Sequence, residues 1–228
     1  MSYAFEPAPI PSVRVTSGSL FPVRRIYCVG RNYAEHAREM GSDPVREQPF
    51  FFSKPADAVV ASGAVLPYPA RTANLHHEVE LVVAIGRGGR DIPASEVDGG
   101  HVFGYAVGVD LTRRDLQAAA KAKGQPWDMA KGFDRSAPIS AILPVSQAGT
   151  MSKGKIELRV NGELRQTGDI ADMIWRIPEI VHELSTLVEL APGDLIFTGT
   201  PAGVGAVVSG DRLEANVEGL EPLVVTIG

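Results

Sequence analysis

The chain has 228 residues, of which 44% are hydrophobic and 21% are charged, and its formal net charge is −5. This mildly acidic balance, with no run of basic residues, argues against a nucleic-acid-binding protein, and the single cysteine, Cys28, excludes an internal disulfide and fits a reducing compartment. No apolar run approaches the roughly 18 residues that span a membrane, and residues 1–13 lack the pattern of a secretory signal, so we expect a soluble, cytoplasmic protein without a membrane partner.

The elements predicted in chain order contain more strands than helices. Residues 1–20, rich in proline and small polar residues, predict an extended N-terminal arm without a core of its own, and residues 21–228, which no linker interrupts, predict a single domain. The first elements are a strand over 24–30, a helix within 31–41 capped by Asn32 and stopped by Gly41, and an aromatic strand within 42–60. Further strands are predicted at 78–85, 101–110, 155–160, 194–198 and 212–217, and helices at 112–122 and 178–189. Since strands and helices do not alternate, this pattern favours a β-rich α+β fold over a doubly wound one.

Two carboxylates interrupt an otherwise apolar strand in the segment LHHEVEL. Glu78 and Glu80 are two residues apart, so a strand places both side chains on the same side, where like charges repel. Asp110 closes the next apolar strand. Three carboxylates match the preference of Mg²⁺ or Mn²⁺ for oxygen ligands, whereas no cluster of cysteine and histidine has zinc spacing. On spacing alone, two solvent-facing side chains of an edge strand remain the more common interpretation of Glu-x-Glu.

A histidine and a carboxylate lie three residues apart in the first predicted helix. His36 and Glu39 would occupy adjacent faces there and could form a hydrogen bond. A histidine oriented by a carboxylate is typical of a general base that activates water. The same spacing also fits a surface pair on a short amphipathic helix, and the spacing alone favours that interpretation.

The predicted helix that follows Asp110 carries two polar side chains on one face. Thr112 is its expected N-cap, and Arg114 and Gln117 would then point toward an anion held beyond Asp110, unless Arg114 simply pairs with a surface acid. Lys131 lies further on, in a predicted loop, and spacing assigns it no role.

A glycine-rich turn, FTGTPAGVGAV at 197–207, follows an apolar strand near the C-terminus. Such a turn can expose backbone N–H groups and the Thr200 hydroxyl to an anion. It is not a phosphate-binding P-loop, because no Gly-Lys-Ser/Thr follows, and most turns of this kind are only turns.

Six motifs in sequence order give the chain a family resemblance. The segments VGRNYAEHAREMG, LHHEVEL, GYAVGVDLTRRDLQ, AKGFDRSAPIS, VNGELRQTGD and GDLIFTGTPAGVG together resemble the fumarylacetoacetate hydrolase family over about residues 21–228. The resemblance implies a β-rich roll of mixed sheets with short helices, the C-terminal-domain type of that family, and a homodimer. It makes residues 21–228 the catalytic domain.

The resemblance also implies roles for individual residues. It implies that one Mg²⁺ or Mn²⁺ per chain is bound by Glu78, Glu80 and Asp110. It implies that the catalytic residues are His36, Glu39 and Lys131. It also implies that the substrate is bound by Arg114, Gln117 and Thr200.

The implied activity is hydrolysis of a C–C bond in a β-diketo acid. Within the family the chain is most similar to the bacterial enzymes that split fumarylpyruvate into fumarate and pyruvate in gentisate degradation. Alternatives that use the same site are a general acylpyruvase, an oxaloacetate decarboxylase and a hydroxydienoate isomerase, and a remote one is a non-enzymatic binding protein with a structural cation. The candidate cations for a distal substrate carboxylate are Arg31, Arg38, Arg46 and Lys54, and the sequence does not choose among them. Residues 41–54 are a candidate lid over the site.

Overall fold

The computed structural model describes residues 3–39 and 46–228, and the side chains of residues 37 and 39 lie outside that description. The strands are β1 (Ser12–Arg14), β2 (Leu20–Pro22), β3 (Arg25–Gly30), β4 (Phe50–Lys54), β5 (Val59–Ala61), β6 (Val65–Leu66), β7 (Leu75–His77), β8 (Val79–Ile85), β9 (Val102–Val109), β10 (Thr112–Arg113), β11 (Ala137–Ile139), β12 (Leu143–Pro144), β13 (Lys155–Val160), β14 (Glu163–Asp169), β15 (Asp194–Phe197), β16 (Gly205–Val207), β17 (Arg212–Val217) and β18 (Leu223–Ile227). The α-helices are α1 (Ala34–Glu39), α2 (Ala94–Val97), α3 (Arg114–Ala122), α4 (Asp128–Lys131), α5 (Val145–Ala148) and α6 (Ile177–Leu187).

Two large sheets form the body of the structure. The eight-stranded sheet has the order β4-β3-β15-β8-β9-β11-β5, with β12 also paired to β9, and the five-stranded sheet has the order β14-β13-β17-β18-β6. Both sheets are mixed, since β3 pairs with β15, β5 with β11 and β6 with β18 in parallel among antiparallel neighbours. The prediction of a β-rich α+β fold of mixed sheets with short helices is confirmed. Among the described residues, no helix is long and apolar enough to cross a membrane.

The central strand β8 is buried on both faces, which explains its nearly continuous apolar run. Leu81 and Val83 join the core between the two large sheets, whereas Val82 and Ala84 join a second cluster on the opposite face. Glu80 has the same alternation as Val82, so it emerges on that second face at the start of the strand.

The N-terminal segment is partly built into the core, which corrects the predicted arm of residues 1–20. Strands β1 and β2 pair with each other, and Val13 and Val15 are buried in the second cluster beside Phe21. The alternation of valine with polar residues supplies a strand pattern too short to stand out in the sequence. Residues 3–10 are exposed and do not belong to this cluster.

Two predicted helix caps are wrong. Helix α3 begins at Arg114, and Thr112 belongs to strand β10, where it pairs with His76 and its hydroxyl donates to the Asp110 carbonyl. Asn32 lies two residues before α1, and its side chain forms hydrogen bonds to backbone groups of Trp175 and Thr198. Tertiary pairing has overridden the local capping preference at both positions. Gly41, the predicted stop of the first helix, lies outside the described residues.

Candidate metal centre and active site

The antiparallel pairing of β8 with β9 brings the three predicted carboxylates together. Glu80 lies opposite Gly108, and the Asp110 N–H donates to the Glu78 carbonyl at 2.8 Å, so the three side chains emerge on the same face of the sheet. One carboxylate oxygen from each of the three lies within 4.8 Å of the others, and all three residues are buried. The expectation of two solvent-facing glutamates on an edge strand is therefore wrong.

Cationic side chains lie directly against these buried carboxylates. Lys131 Nζ lies 2.7 Å from Glu78 Oε2 and 2.6 Å from Asp110 Oδ2, and an Arg114 nitrogen donates to Glu78 Oε1 at 2.5 Å. Lys131 ends the short helix α4, so its predicted placement in a loop is wrong. Burial alone would raise the pKa of Glu78, but Lys131 and Arg114 outweigh it and hold that pKa well below its usual range.

The negative charge of the third carboxylate, Glu80, is compensated less by its neighbours than that of Glu78. Its burial and the neighbouring charges of Asp110 and Glu78 raise its pKa well above the usual range, although the Gly199 N–H donates to Glu80 Oε2 at 2.6 Å. Asp110 Oδ1 forms an ion pair with the ammonium of Lys54 at 2.8 Å. The three buried carboxylates offer only oxygen ligands, which a hard divalent cation such as Mg²⁺ or Mn²⁺ prefers.

A cavity of about 210 Å³ opens above the carboxylates. Its walls contain, from the predicted site, the residues His36, Glu78, Glu80, Arg114, Gln117, Lys131 and Thr200. Asp110 lies behind the ammonium of Lys131, and the side chain of Glu39, at the end of α1, is outside the described part of the chain. The fold thus gathers seven of the nine predicted site residues around one cavity and places an eighth directly beneath it.

One face of α3 lines the cavity wall. Arg114, Gln117, Ala118 and Lys121 follow the spacing of one helical face, and Arg114 donates to the side-chain oxygen of Gln117 at 2.5 Å. Because Arg114 pairs with the buried Glu78, the alternative of a pair with a surface acid is wrong.

The opposite wall is built where β3 and β15 end side by side. Gly199 has φ +97°, and a Cβ there would lie 2.7 Å from the Cβ of Asn32, so only glycine lets the two chains approach this closely. The Asn32 side chain donates to the carbonyls of Trp175 and Thr198 and accepts from the Trp175 N–H. Asn32 therefore anchors the segment that carries His36 to the turn that carries Thr200.

Lys54, one of the candidate cations for the distal end of a substrate, does not reach that end. Its side chain is fully buried and lies 2.8 Å from Asp110. Its ammonium also donates to the carbonyls of Leu111 and Lys131. Lys54 therefore positions Asp110 and the end of α4 from behind the cavity.

Replacing Lys54 with methionine is expected to lower the free energy of unfolding by roughly 3 kcal/mol, because it leaves a buried carboxylate and two carbonyls without this donor. This is the low end of the usual range, since Lys131 still pairs with Asp110. The matched control, Lys155→Met, removes an ion pair whose lysine is 61% exposed and should cost less than about 1 kcal/mol. Urea unfolding of both variants measures the difference, and equal losses would contradict a buried positioning role.

Comparison with known proteins places this site in a family. The family model of the fumarylacetoacetate hydrolase C-terminal domain matches residues 25–228. The chain belongs to the fumarylacetoacetate hydrolase family. Its sequence is 53% identical to that of fumarylpyruvate hydrolase from Pseudomonas aeruginosa, whose crystal structure was determined in complex with Mn²⁺ and pyruvate. The two structures match with a TM-score of 0.96 over 99% of each chain.

Two further relatives in the family have names that give different activities, a hydrolase and a tautomerase. The fumarylpyruvate hydrolase of a Ralstonia species is 47% identical over 184 residues, which are 80% of this chain and 94% of the relative. The mitochondrial oxaloacetate tautomerase FAHD1 of Homo sapiens is 46% identical over 198 residues, which are 86% of this chain and 88% of the relative. Family membership therefore supports an enzyme of the hydrolase, isomerase or tautomerase kind and leaves the reaction to be argued from the site.

Proposed function

We propose that this protein is a divalent-metal-dependent hydrolase of acylpyruvates, with fumarylpyruvate as the substrate and fumarate and pyruvate as products. The observation that supports this most is the buried cluster of Glu78, Glu80 and Asp110 beneath a cavity that His36 and Lys131 also line. The Mn²⁺ and pyruvate of the Pseudomonas aeruginosa relative support the cation and the product. From the family resemblance we retain, as expectations, the homodimer, the cytoplasmic location and the gentisate route.

The residues around the carboxylates suit the α-keto acid end of the substrate. A divalent cation bound by the three carboxylates supplies polarisation of a coordinated carbonyl and stabilisation of developing negative charge. Arg114 and Thr200 offer donors to the carboxylate of this end, and Gln117 lies beside Arg114. The contacts that orient the substrate thus lie at the closed end of the cavity.

His36 is placed to activate water for the cleavage step. Its imidazole takes a proton from a water molecule whose oxygen attacks the distal carbonyl carbon, and Glu39 is proposed to orient the ring. The C–C bond to the pyruvate portion then breaks, and its electron pair passes to the pyruvate enolate. The ammonium of Lys131 stabilises the enolate charge as it forms, before a proton converts the enolate to pyruvate. Water thereby contributes OH to fumarate and hydrogen to pyruvate.

The outer part of the cavity supports an acyl group that is flat and carries a second carboxylate. Phe50, Phe52 and Trp127 form an aromatic wall, and the Trp127 ring lies edge-on at 5.4 Å from Phe50. Arg31 lines this part with its guanidinium carbon 5.3 Å from the centre of the Phe50 ring, and Lys121 extends from α3. Of the other candidate cations, Arg38 and Arg46 do not line the cavity, and Lys54 is buried beside Asp110. We therefore assign the distal carboxylate to Arg31, with Lys121 as a second cation.

Arg31→Met is expected to lower kcat/KM for fumarylpyruvate by roughly 10- to 100-fold and to leave that for acetylpyruvate nearly unchanged, because only the first substrate carries the distal charge. Arg135→Met is the matched control, since Arg135 is also exposed and has φ +60°, near the +58° of Arg31, but does not line the cavity. Equal losses for both substrates would remove Arg31 from distal recognition.

The reaction itself is tested by following the loss of enol absorbance of fumarylpyruvate, acetylpyruvate and oxaloacetate, each with Mg²⁺, with Mn²⁺ and with EDTA. Metal-dependent cleavage that is fastest for fumarylpyruvate is the expected result. A preference for acetylpyruvate would keep the reaction and overturn the fumaryl assignment. No metal-dependent cleavage of either acylpyruvate would overturn the proposed hydrolase.

Tautomerisation or decarboxylation of oxaloacetate is the second candidate function. The human relative named as an oxaloacetate tautomerase, at 46% identity, favours it. Oxaloacetate presents the same adjacent carboxylate and keto group to the closed end of the cavity, and its reactions need no water as nucleophile. The oxaloacetate arm of the same assay measures this activity.

A further inference from the structure

Gln166 is a fully buried polar side chain that the motifs and the proposed chemistry leave without a role. It lies in β14 of the five-stranded sheet, but its amide group reaches the candidate site. Nε2 donates to Thr200 Oγ1 at 2.7 Å and to the Pro201 carbonyl at 2.9 Å. Oε1 accepts from the Val79 N–H at 3.1 Å and lies 2.9 Å from His77 Nδ1. One buried amide thus joins the turn at Thr200 and Pro201 to the chain at His77 and Val79, and Thr200 lines the cavity.

Two backbone partners fix the orientation of this amide. The Val79 N–H can only donate, so it must face the amide oxygen of Gln166. The Pro201 carbonyl can only accept, so it must face the NH₂ group. A flipped amide would set donor against donor and acceptor against acceptor in a buried place, at a cost of several kcal/mol. The oxygen of the Thr200 hydroxyl therefore accepts a hydrogen bond from Gln166.

This bond decides what the Thr200 hydroxyl can offer to a ligand. A hydroxyl has one hydrogen to donate, and a neighbour that is itself a donor cannot receive it. Thr200 lines the cavity, so the hydrogen is left to donate to a ligand there. If an acceptor replaced the Gln166 amide nitrogen, the hydroxyl would turn toward the protein and present only lone pairs to an anion.

We propose that Gln166 is a positioning residue that orients the Thr200 hydroxyl as a donor to the carboxylate of the α-keto acid end, a step that rests on the ligand class of the proposed function. The same amide holds Val79, the residue between Glu78 and Glu80. Gln166 thereby also fixes the turn that carries Thr200 relative to the strand that carries two of the three carboxylates.

The test is a double-mutant cycle read by calorimetric binding of oxalate, a small dianion that resembles the α-keto acid end, to the Mn²⁺-loaded protein. Thr200→Val should weaken oxalate binding by roughly 10- to 100-fold, and Gln166→Met by about 10-fold. If Gln166 acts through Thr200, the double variant should bind no more than about twofold more weakly than Thr200→Val alone. Additive losses, or an unchanged affinity in Gln166→Met, would overturn the proposal.

A second variant keeps the test decisive if Gln166→Met does not fold. Gln166→Glu retains the length and both accepting contacts, to Val79 and His77, but offers Thr200 an acceptor in place of a donor. It should lose at least as much oxalate affinity as Thr200→Val, and wild-type affinity in this variant would contradict the role. Ser185→Ala is the control, since it removes the buried hydrogen bond that the Ser185 hydroxyl in α6 accepts from the Ile92 N–H, and it should leave oxalate binding unchanged. If the wild-type protein binds oxalate but cleaves no acylpyruvate, the proposed function fails while the Gln166 cycle still gives its own answer.

Discussion

Glu80→Gln is expected to raise the melting temperature of the metal-free protein and to abolish its response to Mn²⁺. The folded protein raises the pKa of Glu80 through burial and the charges of Asp110 and Glu78, so at neutral pH its ionised form costs folding free energy. Glutamine removes that cost at every pH and can still accept from the Gly199 N–H. Each kcal/mol gained shifts the melting temperature by about 2 to 4 °C in a chain of this size. Hydrolytic turnover should fall by at least about 10²-fold with the loss of one metal ligand.

Asp110→Asn provides the sharpest comparison, because it removes another carboxylate of the same cluster with different neighbours. Asp110 pairs with both Lys54 and Lys131, so its loss should destabilise the metal-free protein by about 3 to 5 kcal/mol. Both variants should lose the thermal shift that saturating Mn²⁺ gives the wild type, roughly 5 to 10 °C at a hundredfold excess over the dissociation constant.

Thermal melts with EDTA and with Mn²⁺ measure both effects of these substitutions. The exposed Glu163, whose side chain is 73% accessible, gives the control variant Glu163→Gln, which should melt like the wild type in both conditions. A Glu80→Gln protein that melts lower without metal and still responds to Mn²⁺ would show that the three carboxylates do not form one cation site.

The cluster of three carboxylates could be proposed from the sequence because it lies on or next to two of the longest strands. β8 and β9 are seven and eight residues long, so the alternation of side chains and the place of Asp110 at the end of its strand were visible without a structure. The family resemblance then favoured His36 as a general base over a surface pair, and it gave Lys131 a role that spacing did not assign. Their side chains do line the same cavity.

The supporting residues could not be found in the same way. Gln166 is 34 positions from Thr200, and Lys54 is 57 positions from Leu111, so their partners are set by how sheets meet and not by local pattern. The strands β7, β10 and β16 have only two or three residues, too few to show a period. Thr112 illustrates the consequence, because its pairing with β7 was hidden and a helix cap was predicted in its place.

His36→Ala is expected to lower kcat for acylpyruvate hydrolysis by roughly two to four orders of magnitude, the usual contribution of a general base. Decarboxylation of oxaloacetate consumes no activated water, so the same variant should retain that activity within about tenfold. The imidazole is buried and lines the cavity, and its removal leaves space that added imidazole can enter. Partial recovery of hydrolysis with imidazole, measured by loss of enol absorbance, is therefore also expected.

The control for this variant is another histidine that is equally buried. His101 is 6% exposed, as is His36, but its Nδ1 is bonded to the Arg87 carbonyl and it does not line the cavity. His101→Ala should therefore lose stability without a selective loss of hydrolysis. If His36→Ala reduced hydrolysis and decarboxylation by the same factor, His36 would act on folding or substrate binding in place of water activation. If hydrolysis were unaffected, the proton would have to be taken by another group, and the assignment of His36 as the base would be wrong.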